Sequence, residues 1–137
     1  MATGFTREKA TSILSSALSG CYVALSTTTP NELGTNFTEP PTSTGYQRQS
    51  IGALDTSKEG QVANKERIFL FEALEDVGSI THVCLSSFKG RGEKIFLMAE
   101  VNPPLTVDGG FVPLIRPYGL VIGLDKDVLE GYENVTT

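Results

Sequence analysis

His82, Cys21, Cys84 and sixteen carboxylates are the side chains with which this 137-residue chain could do acid, base or nucleophilic chemistry. His82 is the one histidine, the side-chain type whose unperturbed pKa lies near neutrality, and Cys84 stands two residues along. Residues two apart on a strand are parallel neighbours, so the pair does not set a nucleophile against a base, and no third, orienting group is indicated. His82 therefore reads as a structural residue on the face of Ile80 and Cys84, hydrogen-bonded at a sheet margin. Glu72, Glu75, Asp76, Asp108, Asp125 and Asp127 offer carboxylates for a glycosidase pair, but they fall at turns and strand ends without the aromatics of a sugar platform, and Trp is absent. KGRGEK, at 89–94, has glycines and cations but neither the spacing of a phosphate loop nor a following helix. Asp125, Asp127 and Glu130 lack the sharp-turn glycine and closing glutamate of a calcium loop. One His and two Cys also fall short of a zinc ligand set. The expectation is a chain with no catalytic residue, no metal and no cofactor.

Composition narrows the class further. The net charge of −5, with no basic cluster, argues against a surface that neutralises phosphates, so nucleic acid is not an expected partner. At 39% hydrophobic and 20% charged residues the chain can bury a core of its own, and one domain spanning 1–137 is the natural division. No run approaches the roughly 20 apolar residues of a membrane span, so no membrane insertion is expected. Leu18-Ser19-Gly20-Cys21 has the form of a lipoprotein cleavage box, yet Glu8, Thr11, Ser12, Ser15 and Ser16 spoil the apolar stretch that such a signal needs. The sequons at Asn36 and Asn134 are read as chance. Cys21 and Cys84 lie in apolar strand-like runs and read as buried thiols; a disulfide stays open if their strands are neighbours.

These residues must be positioned by short elements. Thr6 can cap a helix over 6–19, with Glu8 in its first turn and Ala10, Ile13, Leu14, Ala17 and Leu18 at spacings of three and four before Gly20. CYVALS (21–26) reads as a strand, and 27–45, dense in Thr, Pro and Gly, as one long loop that Phe37 pins to the core. So long a loop ranks first as a contact surface. GYQRQSI (45–51) has mixed polarity on both faces and is expected at a sheet edge or subunit surface. Residues 54–66 read as a polar connector, and RIFLFEAL (67–74) as an apolar strand. GSITHVCLSSF (78–88) and KIFLMAEV (94–101) form a hairpin around a Gly-rich turn. Asn102-Pro103-Pro104 should interrupt pairing, LTV resume it, and Pro113 and Pro117 confine FVPLIRP to an edge, before YGLVIGL (118–124) ends the array. The fold expected is mainly β: an antiparallel, jelly-roll-like β-sandwich of seven to eight short strands with one N-terminal α-helix.

YVALSTTTP (22–30), GTNFTEP (34–40), GYQRQSI (45–51), ERIFLFEAL (66–74), GSITHVCLSS (78–87), NPPLTVDGG (102–110) and GLVIGLD (119–125) occur in an order that resembles a family of small tailed-bacteriophage and prophage virion proteins. Members of that family are described as tail-fibre-like or minor structural proteins, and the resemblance runs from about Thr6 to Asp125. It implies a virion structural protein without catalytic residues, made in the cytoplasm of the bacterial host. Two departures stand out: the longer, more charged Phe88–Glu93 turn, and an extension over 126–137, expected as a short helix or a tail reaching a neighbouring subunit.

The expected mode of action is assembly, as a homo-oligomer with a trimer favoured, and with other virion proteins. Phe37, Tyr46, Arg48, Pro113, Arg116 and Tyr118 are the candidate interface residues, drawn from the mixed-polarity strand, the long loop and the proline-rich edge. Head decoration or a head fibre is the alternative location. A carbohydrate-binding module for a host-surface glycan is the alternative class, and an accessible aromatic cluster of Phe37, Tyr46 and Tyr118 would favour it.

Overall fold

Thr6 does cap a helix: its hydroxyl accepts the Lys9 amide at 3.2 Å, and α1 follows over Arg7–Leu18 with Glu8 in its first turn. Ala10, Leu14 and Leu18, four residues apart, form its buried stripe. The computed structural model describes residues 6–58 and 60–123, together with the backbone at 127–129 and 132–136.

Among the described residues, the strands after α1 all pair antiparallel, and most of them are short. The strands are β1 (Tyr22–Ser26), β2 (Gln49–Ser50), β3 (Leu54–Asp55), β4 (Gln61–Asn64), β5 (Ile68–Phe69), β6 (Gly78–Ser86), β7 (Leu97–Val107), β8 (Phe111–Ile115), β9 (Leu120–Gly123), β10 (Asp127–Leu129) and β11 (Tyr132–Thr136), with a 3-10 turn at Thr42–Thr44. They hydrogen-bond into three sheets, ordered β2-β1-β6-β7, β10-β9-β4-β3 and β11-β8-β5. One core joins them: Val23, Leu25, Val83 and Leu85 of the first sheet share a cluster with Val62, Leu120 and Ile122 of the second, Ile68 and Ile115 of the third, and Leu14 and Leu18 of α1. The class is thus mainly β with one N-terminal helix, as the strand pattern predicts.

Several elements differ from their sequence-based expectation, each for a physical reason. The polar connector is in fact the β3–β4 hairpin, and β4 lies inside its sheet. Its Asn64 is fully buried because its side chain meets every demand locally: Nδ2 donates to the Glu66 and Arg116 carbonyls, both at 2.9 Å, and Oδ1 accepts the Leu120 amide at 2.9 Å. Pro113 is buried in β8, the middle strand of its sheet, not on an edge. Its carbonyl accepts the Leu70 amide at 2.9 Å but it has no N–H to return, so the β5 ladder stops at Phe69. Pro103 and Pro104 do lie on an edge strand, β7. The extension over 126–137 is neither helix nor free tail where it is described, because β10 pairs with β9 and β11 with β8 of the same chain.

The first sheet is covered on both faces. Ala24, Cys84 and Ile95 form a second cluster, with Phe37 and Met98 packed against it, so the long loop and the 88–96 segment roof the face that turns away from the main core.

Candidate functional site

The roof is fastened by a charged group buried under it. Glu39, from the long loop, and Arg48 make a salt bridge at 2.8 Å, with side chains 2% and 0% exposed. Arg48 Nε donates to Glu39 Oε2 at 3.1 Å and its Nη2 to Oε1 at 2.8 Å, a two-point contact that fits the planar guanidinium. The Tyr46 hydroxyl donates to Glu39 Oε2 and accepts the Leu25 amide of β1 at 3.1 Å, and the Gly92 amide donates to Glu39 Oε1 at 2.7 Å. Arg48 also donates to the Phe88 carbonyl at 2.9 Å and the Glu93 carbonyl at 2.6 Å, while Arg91 reaches back to the Pro40 and Glu39 carbonyls, both at 3.1 Å. The Tyr46 ring meets Phe71 edge-on, centroids 5.6 Å apart.

Four donors on one carboxylate leave it no free acceptor site, so the cluster holds and does not react. Burial pushes the Glu39 carboxyl up, but the hydrogen bonds from Arg48, Tyr46 and Gly92 and the guanidinium charge outweigh it and hold the group below its ordinary value. Burial and the Glu39 carboxylate both push the Tyr46 phenol up. The group is a clasp that ties the long loop, the 46–48 segment, β1 and the β6–β7 turn into one body.

Two close approaches of backbone complete it. Gly34 has φ +74° and its carbonyl accepts the Ile95 amide at 3.0 Å; a Cβ there would stand 1.9 Å from the Ile95 carbonyl oxygen. Gly45, with φ +88°, is similarly pressed, since a Cβ would lie 2.8 Å from the Glu72 carbonyl oxygen.

This arrangement corrects the predicted interface. Tyr46 and Arg48 are buried, not displayed on an edge strand, because a carboxylate nine residues upstream neutralises the guanidinium and backbone carbonyls from the far hairpin satisfy the rest of it. Pro113 is buried, and Phe37 is half-buried under the roof. Arg116 and Tyr118 are exposed, in the turn between β8 and β9. The aromatic cluster of Phe37, Tyr46 and Tyr118 does not form. Sequence reasoning passed over Glu39, although GTNFTEP and GYQRQSI, two of the segments that carry the resemblance, contain all three clasp residues and both glycines. The large apolar side chains left exposed are Leu33, Phe69, Leu74, Phe88, Phe96 and Tyr118, among the described residues. Leu33, Phe88 and Phe96 sit on the segments that the clasp binds together.

His82 is 6% exposed, inside the first sheet between β1 and β7 and not at its margin, with Nδ1 2.9 Å from the Thr81 hydroxyl. A register shift between Ile80 and His82 turns the strand over, so Ile80 enters the main core while Cys84 enters the second cluster. The cysteines face apart because Cys84 pairs with Ala24, three residues from Cys21: Cys21 is in the main core and Cys84 in the second cluster, both thiols are free, and burial raises them to about 11 and about 12 respectively. Glu72, Glu75, Asp76 and Asp108 are exposed. The calcium candidates Asp125 and Glu130, and the side chain of Asp127, lie outside the described residues. Among the described residues no group of three or more His, Cys, Asp or Glu could hold a metal, and no helix is long and apolar enough to cross a membrane.

Residues 8–119 match the family model described as podophage GP4 fiber I protein gp80. No curated protein and no solved structure matches the chain. The matched span covers most of the chain, from α1 through the clasp to the start of β9, and the chain belongs to this family of bacteriophage fibre-type virion proteins.

Proposed function

We propose that this member of the fibre family is a non-enzymatic structural part of the virion, which works by assembling with itself as a trimer and with other virion proteins. The family match over residues 8–119 carries the reading. The geometry supports it in two ways. The buried titratable groups are saturated or enclosed: Glu39 by four donors, His82 within the sheet, both cysteines within apolar clusters. In addition, Leu33, Phe88 and Phe96 stand exposed on a rigidly fastened roof, the kind of apolar surface that an interface covers. A stable interface needs about 800 Å² per partner, roughly a tenth of the 7603 Å² that the chain exposes.

Light scattering across the micromolar range tests this directly. A trimer mass is expected, and Phe88→Ser combined with Phe96→Ser should shift it towards monomer with the circular dichroism unchanged. A monomer at every concentration would remove self-assembly from the reading. Hydrolysis of a glycan that His82→Ala abolishes without unfolding would remove the non-enzymatic part.

A further inference from the structure

A closed trimer needs two different patches on every copy, because the threefold rotation sets one surface of a copy against another surface of the next. The roof with Leu33, Phe88 and Phe96 supplies one of them. Among the described residues the other large apolar side chains left exposed are Phe69, Leu74 and Tyr118, and their charged neighbours tell them apart. Phe69 has the Arg67 guanidinium 5.9 Å from its ring centroid, and Tyr118 shares the turn between β8 and β9 with Arg116. Leu74 stands instead in Glu72-Ala73-Leu74-Glu75-Asp76, with acids on both sides, and it is 71% exposed.

Leu74 is presented on a fixed support. Its amide donates to the Thr44 carbonyl at 2.9 Å, and Ala73 is bonded on both sides to the 108–111 turn, its carbonyl accepting the Gly110 amide at 2.8 Å and its amide donating to the Phe111 carbonyl at 2.9 Å. Asp76 Oδ1 accepts the Gly109 amide at 2.8 Å, which sets Asp108 beside it, and Glu75 Oε1 accepts the Ser43 hydroxyl at 2.6 Å. Glu72, Glu75, Asp76 and Asp108 are all exposed. Neither 72–77, 107–111 nor 42–45 contains a Lys or Arg, so these turns form an acidic end around an apolar side chain.

The roof has the opposite character. Its 88–94 turn exposes Lys89, Arg91 and Lys94 beside Phe88 and Phe96, against Glu93 and, next to Leu33, Glu32. The two ends lie far apart in one copy: the 88–96 tip joins the Ser86 end of β6 to the Leu97 end of β7, whereas the acidic turns adjoin Gly78 and Val107. A nine-residue strand at about 3.3 Å per residue separates them by roughly 26 Å. We propose that they meet between copies, the 88–96 tip of one chain seating on the Leu74 turns of the next, with three such contacts closing the ring. This rests on the trimer reading and adds to it which surfaces join. Phe88, Phe96 and Leu74 supply the apolar area, and the charges around them set the register and disfavour roof against roof, where Lys89 and Lys94 would face their like.

Sedimentation equilibrium of the full chain with charge-reversal variants tests it. Lys89→Glu with Lys94→Glu reverses the tip, and Glu72→Lys with Glu75→Lys reverses the acidic end; none of these four side chains belongs to the clasp. Each pair alone should weaken the trimer by about tenfold or more with the circular dichroism unchanged. All four changes in one chain restore the match of charges and should bring the trimer back to within about threefold of the wild type. Without any substitution, raising NaCl from about 50 to 500 mM should weaken the wild-type trimer by about threefold or more. A wild-type trimer that either pair leaves intact, a fourfold variant no tighter than the pairs, or a trimer insensitive to salt overturns the proposal and leaves the trimer reading standing. A wild type that is monomeric at every concentration overturns both.

Discussion

Arg48 and Glu39 illustrate how a buried ion pair acts on a fold. Each is expensive to desolvate alone, so together they hold only while the geometry is complete. Glu39→Gln leaves the guanidinium buried opposite a neutral amide and should destabilise the chain at pH 7 by about 3–5 kcal/mol in denaturant titration. The pH dependence has a definite sign. The Glu39 carboxyl is held below its ordinary value in the folded chain, so its contribution is present above the unfolded pKa and is lost as pH falls through the lower, folded one. The stability gap between wild type and Glu39→Gln should therefore shrink as pH drops below about 4. A gap that stays constant from neutral to acid pH would mean that Glu39 is not charged in the clasp. Replacing Tyr46 and Arg48 together by Ser should cost folding itself, since neither reaches the surface.

At the scale of elements, the 27–45 segment is irregular in dihedral angles yet held like a strand. Its ends are bound by Thr27 to the Thr38 carbonyl at 2.9 Å and by the Thr44 carbonyl to Leu74 at 2.9 Å, and its middle by Gly34 and Glu39. Limited proteolysis should leave it intact in the wild type. Gly34→Ala should open it, because the added methyl group collides with the Ile95 carbonyl and no flexible side chain is there to yield. Cleavage within 27–45 should then precede loss of the β-sheet signal. Equal resistance of the two proteins would show that the loop does not depend on that approach.

For the whole molecule, the two cysteines report on opposite faces of the first sheet. Both thiols are enclosed and raised in pKa by burial, so neither forms a thiolate while the chain is folded. A disulfide-exchange reagent should label Cys21 and Cys84 at one common rate, set by global unfolding. Faster labelling of Cys84 would show that the roof lifts separately from the main core, and would divide the molecule into two cooperative units.

The features that the sequence determined by itself are those written in adjacent residues. The Thr6 cap with Ala10, Leu14 and Leu18 behind it, the Val83 and Leu85 alternation of β6, and the turns that separate the strands all express 3.6- and 2-residue periods over a few positions. Only the tertiary structure decided where the polar residues went. Tyr46-Gln47-Arg48 has the same local pattern whether it faces water or a carboxylate, and the groups that make burial affordable come from Glu39, Phe88 and Glu93, up to 45 residues away. Asn64 is the same case, since its partners at 116 and 120 meet it only after β9 has docked on β4. A buried polar side chain is defined by its partners, and periodicity carries no information about partners that distant.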